Sequence, residues 1–339
     1  MPKTLKTAVA TVAAVGAALG MASCSSDENK TENDKISIVA STQVWADVVD
    51  TVTDDDRVEI SAIVTGNDMD PHSFEPTAKD MAKAEKADII VVGGGGYDSW
   101  LYSAVDKGKV IHALELTEHD HDHGHEGHDH GHEGHDHGTA EAMATEEAHD
   151  HEGHDHGHEG HNHGAAGAEE NEHVWYNTSA LTQVAEDTAK QIQKLNPEVK
   201  VNLDAAKQKI KALDSRIHAL PEAKVAQTHP IADHILAHTH MIDVTPADYR
   251  ATTLSEAEPS AAELNAMLEK VDSGEVQLLV DTPQTKTPYS TRIREAAEAK
   301  NIPVVEVNET PEKGTNFFTE FDRAISDFEK ATEHIGHNH

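Results

Sequence analysis

From Ile36 onward, short apolar runs alternate with stretches whose apolar positions recur at helical spacing. Ile36-Ser-Ile-Val-Ala40 reads as a buried strand, and Thr42 to Val52 as an amphipathic stretch. Val58 to Val64 alternates like a second strand, Thr77 to Lys86 reads as a helix, and Asp88 to Gly93 as a third strand ending in glycines. Asn177 to Leu195 and Pro197 to Leu220 are helical by composition and spacing. A second alternating set follows. Ala223 to Thr228 is a strand, Ile231 to His238 and Ser260 to Val271 are helices, and Val276 to Val280 is a strand. Thr291 to Lys300 is a helix, Ile302 to Val307 a strand, and Phe317 to Thr332 a closing helix. The alternation predicts an α/β protein of two lobes with mostly parallel sheets. The expected division is residues 36–196 for the first lobe, 197–220 for a linker helix and 221–335 for the second lobe. Such a pair presents a cleft at the carboxyl ends of its strands.

The first 35 residues stand outside this pattern. Lys3 and Lys6 precede an apolar run from Ala8 to Gly20, and small residues Ala22 and Ser23 precede Cys24. Residues 1–23 therefore read as an export signal, with a run too short to span a bilayer. Met21-Ala22-Ser23-Cys24 resembles a bacterial lipobox, which implies a lipid on Cys24. Residues 24–35 then form a polar tether, and the expected location is extracytoplasmic, anchored to the outer face of the cell membrane.

Charge and cysteine count narrow the function classes. A net charge of −35 argues against nucleic acid and anionic lipid headgroups as partners. The single cysteine excludes an internal disulfide and any thiolate-rich zinc or iron–sulfur site.

Histidine is the anomaly, at 27 residues, of which sixteen fall between His119 and His163. His-Gly-His-Glu-Gly-His-Asp-His recurs from His123, from His130 and, with Asn162 replacing Asp, from His156. Seventeen acids lie between Glu118 and Glu172, so about half of the net charge sits in an insert over residues 117–172. Glycine-rich and nearly free of apolar side chains, the insert cannot build a packed core and is expected to be disordered. Its His-x-His pairs with adjacent carboxylates are expected to hold several metal ions weakly. His125 and His128 are three apart outside any helix, so they are not a zincin motif.

Four other segments carry metal-type side chains at strand ends. They are Asp70-Pro71-His72-Ser73-Phe74-Glu75-Pro76, Asn171-Glu172-His173-Val174-Trp175, Thr228-His229-Pro230 and Val307-Asn308-Glu309-Thr310-Pro311. With a His/Asp-rich insert between the first two, and Asp281-Thr-Pro-Gln284 at a later strand end, the chain resembles the solute-binding proteins of zinc and manganese ABC transporters. The resemblance runs from about Lys35 to Lys330. It implies two α/β lobes joined by one long rigid helix, with a metal site in the cleft between them. It makes His72, His173 and His229 metal ligands and puts Glu309 at a fourth, acidic position, with Glu306 and Glu312 as neighbouring alternatives. It also implies a membrane ABC permease as partner, and a monomeric binding protein rather than an enzyme.

Three neutral imidazoles and one carboxylate suit tetrahedral Zn2+ with no open catalytic position, whereas Mn2+ prefers more oxygen donors. The expected function is capture of extracytoplasmic Zn2+ and its delivery to the permease. The alternatives are transport of manganese or another divalent metal, and an extracytoplasmic metal buffer that works through the insert. His234 and His238, one helical turn apart, read as a solvated helix face. Gly93 to Gly96 lacks the Gly-Lys-Ser/Thr of a phosphate loop and reads as a close backbone approach at a strand end.

Overall fold

The computed structural model describes residues 35–68, 71–117, 171–333 and 335. The export signal, Cys24, most of the tether, Asp70, nearly all of the histidine-rich insert and the final His337-Asn-His339 lie outside the described residues. The described residues from Ile36 onward form one compact unit.

In the first half, strands β1 (Ile36–Thr42), β2 (Val58–Val64), β3 (Ile89–Val92) and β4 (Val110–His112) pair in the order β2-β1-β3-β4, all parallel. Helices α1 (Gln43–Val52), α2 (Ala78–Lys86) and α3 (Ser99–Tyr102) connect them. β3 is apolar at every position because both of its faces are covered, as parallel sheets require. α2 starts where Thr77 and Asp80 cap each other's backbone N–H groups.

Two helices then run against each other, α4 (Thr178–Leu195) and α5 (Leu203–His218). α5 is shorter than the span expected from Pro197 to Leu220. The residue before a proline is pushed out of the helical region, so Asn196 ends α4 and residues 196–202 make the turn.

The second sheet repeats the first. β5 (Lys224–Gln227), β6 (Ile242–Asp243), β7 (Leu278–Asp281) and β8 (Val304–Glu306) pair as β6-β5-β7-β8, again all parallel. Helices α6 (Asp233–Leu236), α7 (Ala247–Leu254), α8 (Ala261–Asp272) and α9 (Pro288–Ala299) connect its strands. α10 (Phe317–Thr332) turns back to pack on α1 and α5. Its Phe317, Phe321, Ile325 and Phe328 line one face at helical spacing and are buried. One apolar core therefore runs unbroken from Ile38 and Trp45 through Ile210 to Val225, Leu278 and Phe328. Among the described residues, no helix is long and apolar enough to cross a membrane.

In each sheet the chain leaves the central strands, β1 with β3 and β5 with β7, in opposite directions. Crevices at such switch points open at the carboxyl ends of the strands, which is where the candidate donors sit.

Candidate metal centre

His72 lies in the single 3-10 turn Pro71–Ser73 that follows β2. His173 immediately precedes another such turn, Val174–Tyr176. His229 stands two residues beyond β5, and Glu309 three residues beyond β8. Pro71, Pro230 and Pro311 lie beside or near three of these donors and restrict their loops to few backbone conformations.

The structure brings these four side chains together, each offering one donor atom within 4.8 Å of the others. His173 Nε2 is 3.0 Å from His229 Nε2 and 3.4 Å from His72 Nε2. His72 Nε2 is 3.2 Å from Glu309 Oε2. A tetrahedral ion with bonds of about 2.0–2.1 Å spaces its donors about 3.3–3.4 Å apart, so the spacing fits such an ion. Glu309 is 1% exposed, and its Oε1 accepts no hydrogen bond from any described group. A buried carboxylate oxygen left without a donor is costly unless a cation faces it.

Each donor is held by a second set of contacts. Asn171 Oδ1 accepts from both the backbone N–H (2.9 Å) and Nδ1 (2.6 Å) of His173, which leaves Nε2 as the lone-pair nitrogen. Asn171 Nδ2 donates to the Pro230 carbonyl and to Asp233 Oδ2 (2.7 Å), and Arg250 pairs with the same carboxylate. Gln284 Oε1 accepts from the backbone N–H groups of Glu309 (2.6 Å) and Thr310 (3.0 Å), and Tyr97 donates its hydroxyl to Glu309 Oε2 (3.1 Å). The Asp281-Thr-Pro-Gln284 strand end thus positions the acidic donor. Neither neighbouring acid competes for that place: Glu306 is tied to Arg294, and Glu312 is exposed.

The histidines are electrostatically unequal. Burial opposes a charge on His72, but the carboxylates of Glu172, Glu309 and Glu256 outweigh it and push its pKa up to about 11. Burial and then the charge on His72 push His229 down to about 3. His173 is driven well below the usual range by burial, then by His229 and His72. Without metal, His72 is therefore charged at neutral pH while His173 and His229 are neutral.

Several participants were not foreseen from sequence, among them Asn171, Tyr97 and the Asp233–Arg250 pair behind Asn171. Glu256 is another, with Oε1 3.5 Å from His229 Nε2 and 3.7 Å from His72 Nε2. It occupies the position after the cap of α7 at φ 57°, the left-handed conformation in which glycine is usual. The N–H groups of Glu256 and Ala257 close that helix end on the carbonyls of Thr253 and Thr252. No local pattern marks Asn171 or Tyr97; at Glu256, the absence of glycine after a helix end was the available signal.

His234 corrects an expectation. It is buried rather than on a solvated face, because Nε2 donates to the Asn171 carbonyl at 2.9 Å. The glycine run behaves as expected. A Cβ on Gly94 would lie 2.1 Å from the Leu114 carbonyl oxygen, and the N–H groups of Gly93 and Gly94 are taken by Asp98 (2.7 and 3.0 Å).

Two parallel α/β sheets with three imidazoles and a carboxylate converging at their strand ends define a protein built around a divalent-metal-type centre. The family model for the periplasmic zinc-uptake complex component A (ZnuA) matches residues 38–331, and the chain belongs to that family of solute-binding transport proteins, which are not enzymes. Among curated relatives, it is 31% identical over 97 residues to the metal ABC transporter substrate-binding lipoprotein ScbA of Streptococcus cristatus, covering 27% of this chain and 31% of ScbA. It is 31% identical over 94 residues to the manganese ABC transporter substrate-binding lipoprotein ScaA of Streptococcus gordonii, 26% of this chain and 30% of ScaA. The matched stretches thus span less than a third of these relatives' own length. The periplasmic zinc-binding protein TroA of Treponema pallidum shares the fold at a TM-score of 0.58 and 13% identity, over 88% of this chain and 99% of that one. A ZnuA deletion mutant with zinc bound does so at 0.54 and 17%, over 88% and 96%.

Proposed function

We propose that this protein captures Zn2+ outside the cytoplasm, through His72, His173, His229 and Glu309, and delivers it to a membrane ABC permease. The observation that carries this reading is the convergence of four donors within 4.8 Å, three of them imidazole nitrogens. Nitrogen-rich tetrahedral donor sets favour Zn2+, while Mn2+ favours oxygen. Zn2+ displaces a proton from His72 and meets two imidazoles that are already neutral. Relatives named for manganese and other metals show that the family's cargo varies, so the metal follows from this chain's own donors. Cys24 supplies the lipid anchor, the chain acts as a monomer, and the histidine-rich insert is a loose antenna that raises metal concentration near the cleft. The reading divides the molecule into lobes 36–196 and 221–335 with a linker at 197–220.

Zinc titration of a chain lacking residues 118–170 is the direct test, because it keeps Asn171 on His173 and Glu172 on His72. One tight site should remain, with Mn2+ failing to displace Zn2+ at large excess. Loss of nearly all binding would instead make the protein an insert-driven buffer.

Glu256 adds an oxygen at the rim of the centre at the expense of a strained backbone. Glu256→Gly should change the stability of the metal-free protein by less than about 1 kcal/mol, because relief of the left-handed side chain is offset by loss of the carboxylate beside charged His72. The same change should weaken Zn2+ by about tenfold, as loss of a supporting group around a metal does. Thermal unfolding without metal and competition titration read the two effects. Equal affinity would show that the carboxylate plays no part.

A further inference from the structure

A second group of metal-type side chains lies away from the cleft donors. Asp214 and His218 are four residues apart on α5 and share one helix face. His238, two residues beyond α6, approaches the same face. Its Nδ1 is 3.3 Å from Asp214 Oδ1, His218 Nδ1 is 3.5 Å from Asp214 Oδ2, and the two rings sit edge to face with centroids 5.4 Å apart. One donor atom from each residue lies within 4.8 Å of the others. The Thr178 hydroxyl donates to Asp214 Oδ1 at 2.7 Å and fixes the carboxylate. His218 Nδ1 also lies 2.9 Å from the Asp214 carbonyl, which anchors the ring beside the carboxylate. The one-turn spacing of His234 and His238 thus has a different meaning from that expected: His234 turns inward, and His238 joins a cluster with α5.

We infer that Asp214, His218 and His238 form a second, weaker site for a borderline divalent cation of the Zn2+ class. Two imidazoles and one carboxylate are a suitable donor set, and water completes the coordination because His218 is exposed. Such a site exchanges its metal readily, having fewer protein donors than the cleft and an open side. It stands beside Thr178, at the start of α4.

Histidine carbethoxylation of the full chain, read peptide by peptide with and without excess Zn2+ alone, tests the site. Zinc should slow modification of both His218 and His238 by about tenfold or more, since the bound nitrogen loses its nucleophilic lone pair. Asp214→Asn should remove most of that protection, and His218→Ala should expose His238. All three effects should persist in a His229→Ala background, where the cleft is disabled. Equal labelling with and without zinc overturns the site, as does protection of His238 that survives both Asp214→Asn and His218→Ala. Failure of zinc to protect His229 would count against the cleft centre and leave these outcomes unchanged.

Discussion

Replacing His229 with alanine is expected to weaken Zn2+ binding by about 100-fold or more. A closed four-donor zinc site is worth about 10–16 kcal/mol at neutral pH, so each donor accounts for roughly 3 kcal/mol, and 1.4 kcal/mol is tenfold. His229 should show the full loss. It is buried, its pKa is pushed down to about 3, and its Nε2 lies 3.0 Å from His173 Nε2, so both nitrogens are aimed at the same point. The fold should tolerate the change, because β5 and Pro230 hold the loop without the ring. Competition titration against a zinc chelator measures the loss, and circular dichroism verifies the fold. An affinity within a few-fold of the parent protein would remove His229 from the ligand set.

The second large effect is on pH dependence. Zn2+ affinity should rise about tenfold per pH unit from about pH 5 to 9, with one proton released per ion. The sign follows from His72. Its pKa without metal is pushed up to about 11, so throughout this range zinc must displace one proton from it, and raising the pH makes that easier. His173 and His229 add nothing to the slope, since both are already neutral there. Three ordinary histidines would behave differently, with a flat profile above pH 7 and a steepening loss below 6.5. Titrations at several pH values, with calorimetry at pH 7 in buffers of different protonation enthalpy, separate the two patterns. A profile flat above pH 7 would mean that the carboxylates around His72 do not hold its proton.

Most of this centre is legible in the sequence because its donors are local. His72 lies beside Pro71, His229 beside Pro230, and each follows a strand that its apolar run identifies. The supporting groups are not legible for the opposite reason. Glu256 reaches His229 because Tyr249 of α7 donates its hydroxyl to the Thr228 carbonyl just past β5, and α7 escapes notice because it buries little besides Tyr249 and Thr253. The edge strands β4 and β6 are three and two residues long, too short to show an alternation. The strands that declare themselves, β3 and β7, are buried at every position. Pro197 limits the helix expected around it, and a reading by composition alone overlooks that boundary.

The return of α10 onto α1 and α5 bears on the order in which the molecule can form. Phe317, Phe321 and Phe328 complete a core to which Trp45 and Val49 belong, and the Phe317 N–H closes on Asp47 across 270 residues of chain. A growing polypeptide that has not yet reached Asn316 leaves this apolar surface of its first half open. Pairings of such long range are slow to find and reward the chain only once both ends are present. The helix made last therefore completes a core that the first half of the chain only begins, and a chain truncated before Asn316 should unfold at a lower temperature than the full one, as circular dichroism would read.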